Sequence, residues 1–315
     1  MVDNSLKNRL KEERNGRVRF DEPMSKHTSL RVGGPADVYA EPETPEEMIR
    51  LIRECGQSGI NCTVIGGGTN LLVKDRGIRG LVISMMKFGS GVCPSSEAVL
   101  SVSAGMKLGS LCRYCIDRGL EGMNFAVGIP GTVGGAVMMN AGTASGSMQD
   151  TVESLDVLLS DGAIRRVQRT QLHFAYRSLT TPLLMRRQNL SDFVALLAVR
   201  FCLRQGDPEK LKKEAQNMME IRRKKQPVTV PSAGCFFKNP QGAYNKHSAG
   251  ELIERAGLKG KQIGGAQISE KHANFIINRR SATAADILTL AEIVRETVSE
   301  KFGIILETEV KIIGE

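Results

Sequence analysis

The stretch that most constrains this chain is the run Gly128–Gly142, which reads GIPGTVGGAVMMNAG. Five of its residues are glycine, and most of the others are small or apolar. Glycine lacks the Cβ atom that keeps a ligand away from the backbone, and it adopts positive φ angles at little cost. Successive N–H groups in such a loop can turn towards phosphate oxygens. The run therefore predicts an anion-binding loop, with a tight turn that binds nothing as the alternative.

A second glycine cluster precedes this run in the segment Val64–Leu72, VIGGGTNLL, directly after the predicted strand Cys62–Ile65. Two such loops suggest a dinucleotide lying between them. Neither loop has the Gly-Lys-Ser/Thr ending of a nucleoside triphosphate-binding loop or the spacing GxGxxG of the Rossmann fingerprint. Nucleoside triphosphate hydrolysis is therefore disfavoured.

Composition points to a globular chain of two or three domains, since 315 residues are 41% hydrophobic and 24% charged. The opening stretch Met1–Arg19 has no apolar core, and no window approaches 18 uncharged apolar residues. We therefore expect no signal peptide, no membrane span and a cytoplasmic location. Seven scattered cysteines agree with a reducing compartment. Cys112 and Cys115 lie one helical turn apart, which fits buried thiols better than a redox or metal site.

The formal charge of +9 favours anionic ligands. Only 4% of residues are aromatic and tryptophan is absent, so bases would find few stacking surfaces, and no nucleic-acid-binding motif is present. We therefore expect small anionic substrates and no nucleic acid. The densest basic run, Arg222–Lys225, ends a predicted helix; a solvated helix end and a ligand contact both remain open.

Periodicity and capping signals predict an α/β arrangement followed by a compact C-terminal region, with the boundary at Gln226–Pro231. Thr44, Pro45 and Glu47 form a capping box that begins a helix, and Asp161-Gly162 predicts a hairpin turn. The other predicted helices are 107–118, 209–225, 248–256 and 284–302. The predicted strands are 62–65, 80–84, 99–104, 152–159, 163–167, 193–203, 262–268, 275–278 and 304–313.

Seven motifs stand in order along the chain and carry a resemblance to a known family. They are SLRVGGPAD (29–37), VIGGGTNLLV (64–73), GIPGTVGGAVMMNAG (128–142), AYRS (175–178), RRKKQP (222–227), AGCFFKNP (233–240) and LIERAGLKGKQIGGAQIS (252–269). With them the chain resembles the UDP-N-acetylenolpyruvoylglucosamine reductase family from about Thr28 to Gly314. It resembles the shorter type, without the substrate-covering insertion of one branch.

The resemblance implies an α+β/α/β fold, with a two-part FAD-binding domain of the vanillyl-alcohol-oxidase (PCMH) type and a smaller α+β substrate-binding domain. The implied boundaries are 20–88 and 89–225 for the two FAD-binding subdomains, 226–303 for the substrate-binding domain and 304–315 for a strand that returns to the FAD domain. It also implies FAD as cofactor, NADPH as co-substrate, a UDP-sugar substrate in peptidoglycan precursor synthesis, and a monomer.

In the family the two glycine loops surround the FAD pyrophosphate and isoalloxazine. The resemblance therefore implies cofactor-binding roles for Gly66, Gly67, Gly68, Thr69, Asn70 and Leu71 in the first loop, and for Gly128, Ile129, Pro130, Gly131, Gly134, Gly135, Ala136, Asn140 and Ala141 in the second.

The implied catalytic residues are Arg177, Cys235 and Glu309. In the family's reaction hydride passes from flavin N5 to C3 of the enolpyruvyl ether, and C2 receives a proton. Arg177 would support the developing negative charge, because a guanidinium offers a planar fork of donors. Glu309 would orient donors or relay a proton, although Glu307, on the same face of the predicted strand, is the alternative. Cys235 stands where most relatives have serine, and its thiol would give C2 the proton.

Substrate-binding roles are implied for Tyr176, Arg222, Lys225, Asn239, Gln267 and His272. One departure from the family is that Ser178 follows Arg177 at once, where the family usually spaces the serine two residues away. Two other functions stay open at this point: an FAD oxidoreductase of the same fold with a different substrate, and a flavin-binding module without turnover.

Overall fold

The computed structural model describes residue 10 and residues 17–89, 91–184, 193–242 and 246–315. Most of the stretch Met1–Arg19, in which we predicted no signal peptide, lies outside these residues. The α-helices are α1 (Pro45–Gln57), α2 (Leu108–Asp117), α3 (Val133–Met138), α4 (Pro208–Lys225), α5 (Ala249–Arg255) and α6 (Ala284–Phe302).

Short strands make up the remaining regular structure. They are β1 (Val18–Pro23), β2 (Pro35–Ala40), β3 (Cys62–Ile65), β4 (Leu71–Val73), β5 (Ile78–Ser84), β6 (Val92–Pro94), β7 (Val99–Ser103), β8 (Leu120–Glu121), β9 (Gly142–Thr143), β10 (Gly146–Ser147), β11 (Val152–Leu159), β12 (Ile164–Gln168), β13 (His173–Ala175), β14 (Ser178–Thr180), β15 (Phe193–Cys202), β16 (Arg204–Gln205), β17 (Gln262–Ile263), β18 (Ala266–Ile268), β19 (Ile276–Asn278) and β20 (Lys311–Ile313).

Local capping residues set the helix ends where the sequence predicts them. Thr44 accepts a hydrogen bond from the N–H of Glu47 at 3.2 Å, which starts α1 as predicted. Helix α6 begins after Thr283, whose side chain takes part in a capping box, and it ends at Gly303 with φ +68°. The predicted bounds of α6 are confirmed.

The first sheet has the order β1-β2-β5-β3, with β2 and β3 both parallel to β5. Its strands are covered on both faces, because alternate residues enter different cores. Val38 and Leu81 enter the largest apolar cluster, whereas Tyr39 and Val82 enter a smaller one on the other side. The loop after β3 is the first glycine cluster, so the sheet carries this loop at the carboxyl end of a strand.

The second sheet is antiparallel and has the order β12-β11-β15-β7-β6. The predicted hairpin at Asp161-Gly162 is confirmed: β11 pairs with β12, and the Asp161 carboxylate accepts the N–H of Ala163 at 2.8 Å. Helix α3 begins in the second glycine run and packs against β7 and β15. Both sheets contribute to one apolar cluster, so the two glycine loops are held by a shared core.

The C-terminal region contains the small sheet β17-β18-β19, against which α6 packs. The continuous strand predicted over 262–268 is wrong, because the chain forms a hairpin there. Gly264 adopts φ +50°, and a Cβ on Gly265 would lie 2.0 Å from the carbonyl oxygen of Arg280. These two glycines therefore make a tight turn where a strand was expected.

The strand predicted over 304–313 is also wrong in extent, because only β20 is a strand. β20 pairs in parallel with β4, which directly follows the first glycine loop. The residues before β20 instead contact the C-terminal region: Thr308 forms a bridge with Phe237, and Leu306 is buried in that region's core. The prediction failed because the two parts of this segment pair with different partners, Thr308 with Phe237 and β20 with β4.

The C-terminal region also takes in residues from the start of the chain. Leu30, Val32 and Leu72 belong to the same apolar cluster as the buried face of α6. The carboxylate of Asp75 accepts the N–H groups of Ala284 and Ala285, at 2.8 and 2.9 Å, at the first turn of α6. In the described part of the chain, no helix has the length and apolar character needed to cross a membrane.

Candidate active site

The two glycine loops contact each other directly. Thr69 donates a hydrogen bond to the carbonyl oxygen of Pro130 at 3.3 Å. A Cβ on Gly66 would lie 2.4 Å from Oγ1 of Thr132, so only glycine fits at that position. Thr132 is itself the cap of α3. The close packing explains why both loops are rich in glycine. Such loops present backbone groups, and few side chains, to a ligand.

A cavity of about 400 Å³ opens beside the first loop. Its lining contains three lysines, Lys26, Lys87 and Lys107, and one carboxylate, Glu41, so the charge around it is positive. The other lining residues are His27, Thr28, Ser29, Tyr39, Gly66, Gly67, Ser84 and Met86. A positive cavity beside bare backbone fits the diphosphate of a dinucleotide such as FAD.

Other residues of the glycine loops support neighbouring parts of the site. A Cβ on Gly134 would lie 2.8 Å from the Cβ of Ala104, so this glycine allows α3 to pack on the second sheet. Asn70 donates to the carbonyl oxygen of Glu309 at 3.1 Å, and Asn140 donates to that of Ala175 at 3.0 Å. These two amides tie the loops to the segments that carry Glu309 and Arg177.

The AYRS motif forms a two-residue hairpin turn between β13 and β14. Ala175 pairs with Ser178, which leaves Tyr176 and Arg177 at the tip, and Arg177 adopts φ +57°. A left-handed backbone is strained for any residue with a Cβ. The Arg177 side chain is held from inside the protein, because its Nη1 donates to the carbonyl oxygen of Gly142 at 3.2 Å. The immediate Ser178 is thus the closing residue of the hairpin.

Arg177 forms an ion pair with Glu309, with 3.1 Å between Nε and Oε1. Their side chains are 22% and 16% exposed, so the pair is largely buried. The Nε atom is buried, and the Glu309 carboxylate is its neighbour in this ion pair.

Glu307 points away from this site, and the expectation that it shares a face with Glu309 is wrong. Its side chain is 75% exposed and pairs with Lys238 at the surface. The two glutamates differ because residues 304–310 are not a strand, so the alternation expected of a strand does not apply. Of the two, Glu309 is the carboxylate beside Arg177.

Cys235 lies in the electrostatic field of Arg177, Glu309 and Arg222. Burial raises the pKa of its thiol to about 12, and the carboxylate of Glu309 adds to the rise, while the two arginines oppose it. The thiol therefore keeps its proton at neutral pH. Burial also raises the pKa of Glu309, against the influence of Arg177.

Arg222 reaches the site from the last turn of α4. A Cβ on Gly128 would lie 2.9 Å from Cδ of Arg222, so the first glycine of the second loop makes room for this side chain. Burial lowers the pKa of Arg222, and Cys235 opposes the change. Lys225, one turn later, is exposed. The basic run is thus divided: Arg222 faces Cys235, and Lys225 faces solvent.

The remaining predicted substrate-binding residues differ in their availability. The hydroxyl of Tyr176 accepts the N–H of Asn239 at 3.4 Å, so the hairpin tip contacts the loop that follows Cys235. Gln267 is buried, and its amide is engaged with Gly260 and Arg279.

The His272 ring packs against Phe275 at 4.9 Å and accepts the N–H of Asn274 at 3.3 Å. Burial lowers the pKa of His272. The contacts that the structure gives for Gln267 and His272 lie within the C-terminal region.

Sequence reasoning missed the lysines of the cavity and also Asn274. Lys26, Lys87 and Lys107 are far apart in the chain and belong to no motif, so only the fold brings them together. Asn274 is buried and bonds to the backbone beside Cys235. Its signal in the sequence was weak, since one asparagine before an apolar strand is common. Cys112 and Cys115 are buried, and burial raises the pKa of both thiols to about 12, as expected of structural cysteines.

Comparison with known proteins gives consistent matches. Residues 226–313 match the family model described as UDP-N-acetylenolpyruvoylglucosamine reductase, C-terminal domain, and residues 36–168 match an FAD binding domain. The chain is 48% identical to the UDP-N-acetylenolpyruvoylglucosamine reductase of Desulfosudis oleivorans, over 95% of each chain. It is 44% identical to that of Heliobacterium modesticaldum, over 93% of this chain and 90% of the relative.

A solved structure agrees with these matches. The crystal structure of the UDP-N-acetylenolpyruvylglucosamine reductase from Thermus caldophilus is similar with a TM-score of 0.75 and 34% identity, and the match covers 94% of this chain and 97% of that one. Together with the FAD binding domain model, this similarity confirms the predicted fold class.

Proposed function

The chain belongs to the UDP-N-acetylenolpyruvoylglucosamine reductase family, and from this premise we propose which of its residues carry the reaction. The protein is an FAD- and NADPH-dependent oxidoreductase that converts UDP-N-acetylglucosamine enolpyruvate to UDP-N-acetylmuramate, a step of peptidoglycan synthesis. Its residue roles, its cytoplasmic location, its monomeric state and the division 20–88, 89–225, 226–303 and 304–315 are proposals.

FAD would be held by the backbone of the two glycine loops and by the cavity beside them. The observation that supports this is the fit: Gly66 leaves no room for a Cβ, and Lys26, Lys87 and Lys107 surround the cavity with positive charge. Bound FAD supplies hydride transfer from NADPH to the enolpyruvyl double bond.

The observation that carries the residue assignment is the meeting of Arg177, Glu309, Cys235 and Arg222 beside these loops. Arg177 pairs with Glu309 at 3.1 Å, and the charges of Arg177, Glu309 and Arg222 all act on Cys235. The carboxylate of the substrate gains electron density as the double bond is reduced. Arg177 and Arg222 would stabilise that charge, because a fixed guanidinium in a largely buried site does not have to reorganise.

Cys235 would donate the proton to C2 of the substrate. A thiol with a pKa near 12 is protonated at neutral pH, so the donor form is the resident form. Glu309 holds Arg177 in place and keeps negative charge beside the thiol, which discourages early loss of the proton. Tyr176, Lys225, Asn239, Gln267 and His272 are proposed as substrate contacts. For Gln267, binding would require exchange of its present internal hydrogen bonds.

Anaerobic stopped-flow absorbance separates the two half-reactions. Protein reduced with NADPH is mixed with UDP-N-acetylglucosamine enolpyruvate, and the oxidised flavin band is followed. Recovery of the band in the wild type and its loss in Cys235→Ala, with reduction by NADPH unchanged in both, is the expected result. Normal reduction without recovery in the wild type would instead favour an FAD oxidoreductase with another substrate.

A further inference from the structure

Asn274 holds the backbone on one side of Cys235, and the reaction described above gives it no role. It is 2% exposed and lies two residues before β19. Its backbone oxygen accepts the N–H of Phe236 at 2.7 Å. Its side-chain oxygen accepts the N–H of Phe237 at 2.9 Å, and its side-chain nitrogen donates to the carbonyl oxygen of Phe237 at 2.8 Å. One residue therefore bonds the two N–H groups that follow Cys235 and the carbonyl oxygen of Phe237.

The other side of the same segment is bonded to the backbone of Glu309. Its N–H donates to the carbonyl oxygen of Phe236 at 2.8 Å. The Phe236 peptide is thus held between Asn274 and Glu309. These contacts hold the backbone next to Cys235 against the backbone of Glu309, because Asn274 and Glu309 are both bonded to Phe236.

The side chain of Asn274 is also close enough to Cys235 to act on its thiol. A primary amide has two N–H donors, and only one of them is used by Phe237. The Asn274 amide lowers the pKa of the Cys235 thiol, against the larger effect of burial. An N–H donor directed at sulfur stabilises the thiolate more than the thiol.

Proton donation creates that thiolate. The S–H bond of Cys235 breaks, the new C–H bond forms at C2 of the substrate, and the electron pair of the S–H bond remains on sulfur. The proton is replaced from water before the next turnover. A thiolate in a largely buried site is costly unless a donor satisfies it.

We propose that Asn274 is a positioning residue for proton donation by Cys235. Asn274 holds the backbone of Phe236 and Phe237 in place, and its amide donates a hydrogen bond to the Cys235 sulfur as the thiol loses its proton. This inference rests on the proposed function of Cys235. It assigns to Asn274 an effect on one half-reaction only.

The test compares Asn274→Ala with Asn278→Ala as a matched control. Asn278 makes side-chain hydrogen bonds of the same two kinds, donating to the carbonyl oxygen of Leu30 at 2.9 Å and accepting the N–H of Ala282 at 3.0 Å. It is the last residue of β19, and the hydrogen bonds given for its side chain among the described residues do not include Cys235. Both holoenzymes are assayed for flavin reduction by NADPH and for reoxidation by UDP-N-acetylglucosamine enolpyruvate.

We expect Asn274→Ala to reoxidise roughly 10- to 100-fold more slowly than the wild type, which corresponds to the loss of a hydrogen bond to a charged group. Its reduction by NADPH should match that of Asn278→Ala. Hydrogen exchange measured by mass spectrometry should increase in the segment that carries Phe236 and Phe237 in Asn274→Ala only. In a Cys235→Ala background, Asn274→Ala should cause no further slowing, because the two residues act through the same thiol.

Three results for Asn274→Ala would overturn the proposal. They are an equal slowing of both half-reactions, a reoxidation rate equal to that of Asn278→Ala, and a further slowing of reoxidation in the Cys235→Ala background. If Asn274→Ala does not give folded protein, Asn274→Asp is tested instead, because it keeps the acceptor for the Phe237 N–H and loses the amide donor. Slower reoxidation with normal reduction by NADPH would support the proposal, and normal reoxidation would overturn it. A wild-type protein that is not reoxidised by this substrate would refute the proposed function itself, independently of the variants.

Discussion

The raised pKa of Cys235 makes a quantitative prediction about the dependence of substrate reduction on pH. The direction follows from burial: the neutral thiol, which is the proton donor, persists to higher pH than in an ordinary cysteine. With a pKa of about 12, less than about 1% of the thiol is ionised at pH 9.5. An unperturbed thiol with a pKa of about 8.5 would keep only about one tenth of its donor form at that pH.

The assay is reoxidation of NADPH-reduced enzyme by substrate in the anaerobic stopped-flow, between pH 6.5 and 9.5, for the wild type and Cys235→Ser. Every other titrating group is common to both proteins, so the ratio of their rates reports on residue 235 alone. We expect this ratio to stay constant across the range. The Cys235→Ala variant gives the size of the contribution, which we expect to be about 10²- to 10⁴-fold.

A ratio that falls about tenfold between pH 6.5 and 9.5, with about a fivefold fall between pH 8.5 and 9.5, would show that the thiol ionises as in water. The electrostatic description of the site would then be wrong. A fall of less than about threefold in the reoxidation rate of Cys235→Ala would contradict the role of Cys235 as proton donor. It would mean that another group gives C2 its proton.

Three further predictions concern the loops, the carboxylates and the hairpin. Gly66→Ala should lose bound FAD on gel filtration, because the new Cβ displaces the second loop, whereas Gly91→Ala, with open space at that position, should retain it. Glu309→Gln should slow reoxidation by substrate at least tenfold and Glu307→Gln less than twofold; the reverse order in stopped-flow would exchange their roles. The free energy of unfolding in urea should be about 1 kcal/mol higher for Arg177→Gly than for Arg177→Ala. Both variants lose the ion pair, but only alanine keeps the strain of a left-handed backbone. Equal free energies would mean that the turn is unstrained.

Features set by neighbouring residues could be predicted from the sequence. Thr44 begins α1 and Gly303 ends α6 because a cap depends on a few adjacent atoms. The glycine loops were also found, since their composition is itself the signal. Resemblance supplied Arg177 and Cys235, which composition alone would not distinguish from surface and core residues.

Features that depend on distant partners could not be predicted. Glu307 and Glu309 differ in exposure because the chain leaves Phe237 to join β4, and no periodicity within 304–313 records that change. Asn274 bonds to peptides 37 residues earlier in the chain. Its importance lies in the backbone that it satisfies, and backbone groups leave no trace in composition.

The pairing of β4 with β20 has a consequence for the synthesis of the protein on the ribosome. About 240 residues separate these strands, so β4 emerges roughly 10–50 s before its partner is synthesised. During that interval the nascent chain presents the apolar residues Leu72 and Val73 on a strand without a neighbour, which is the kind of edge that captures other chains. The vulnerable period of this enzyme therefore falls during its own translation, and it ends only when residues 311–313 have left the exit tunnel.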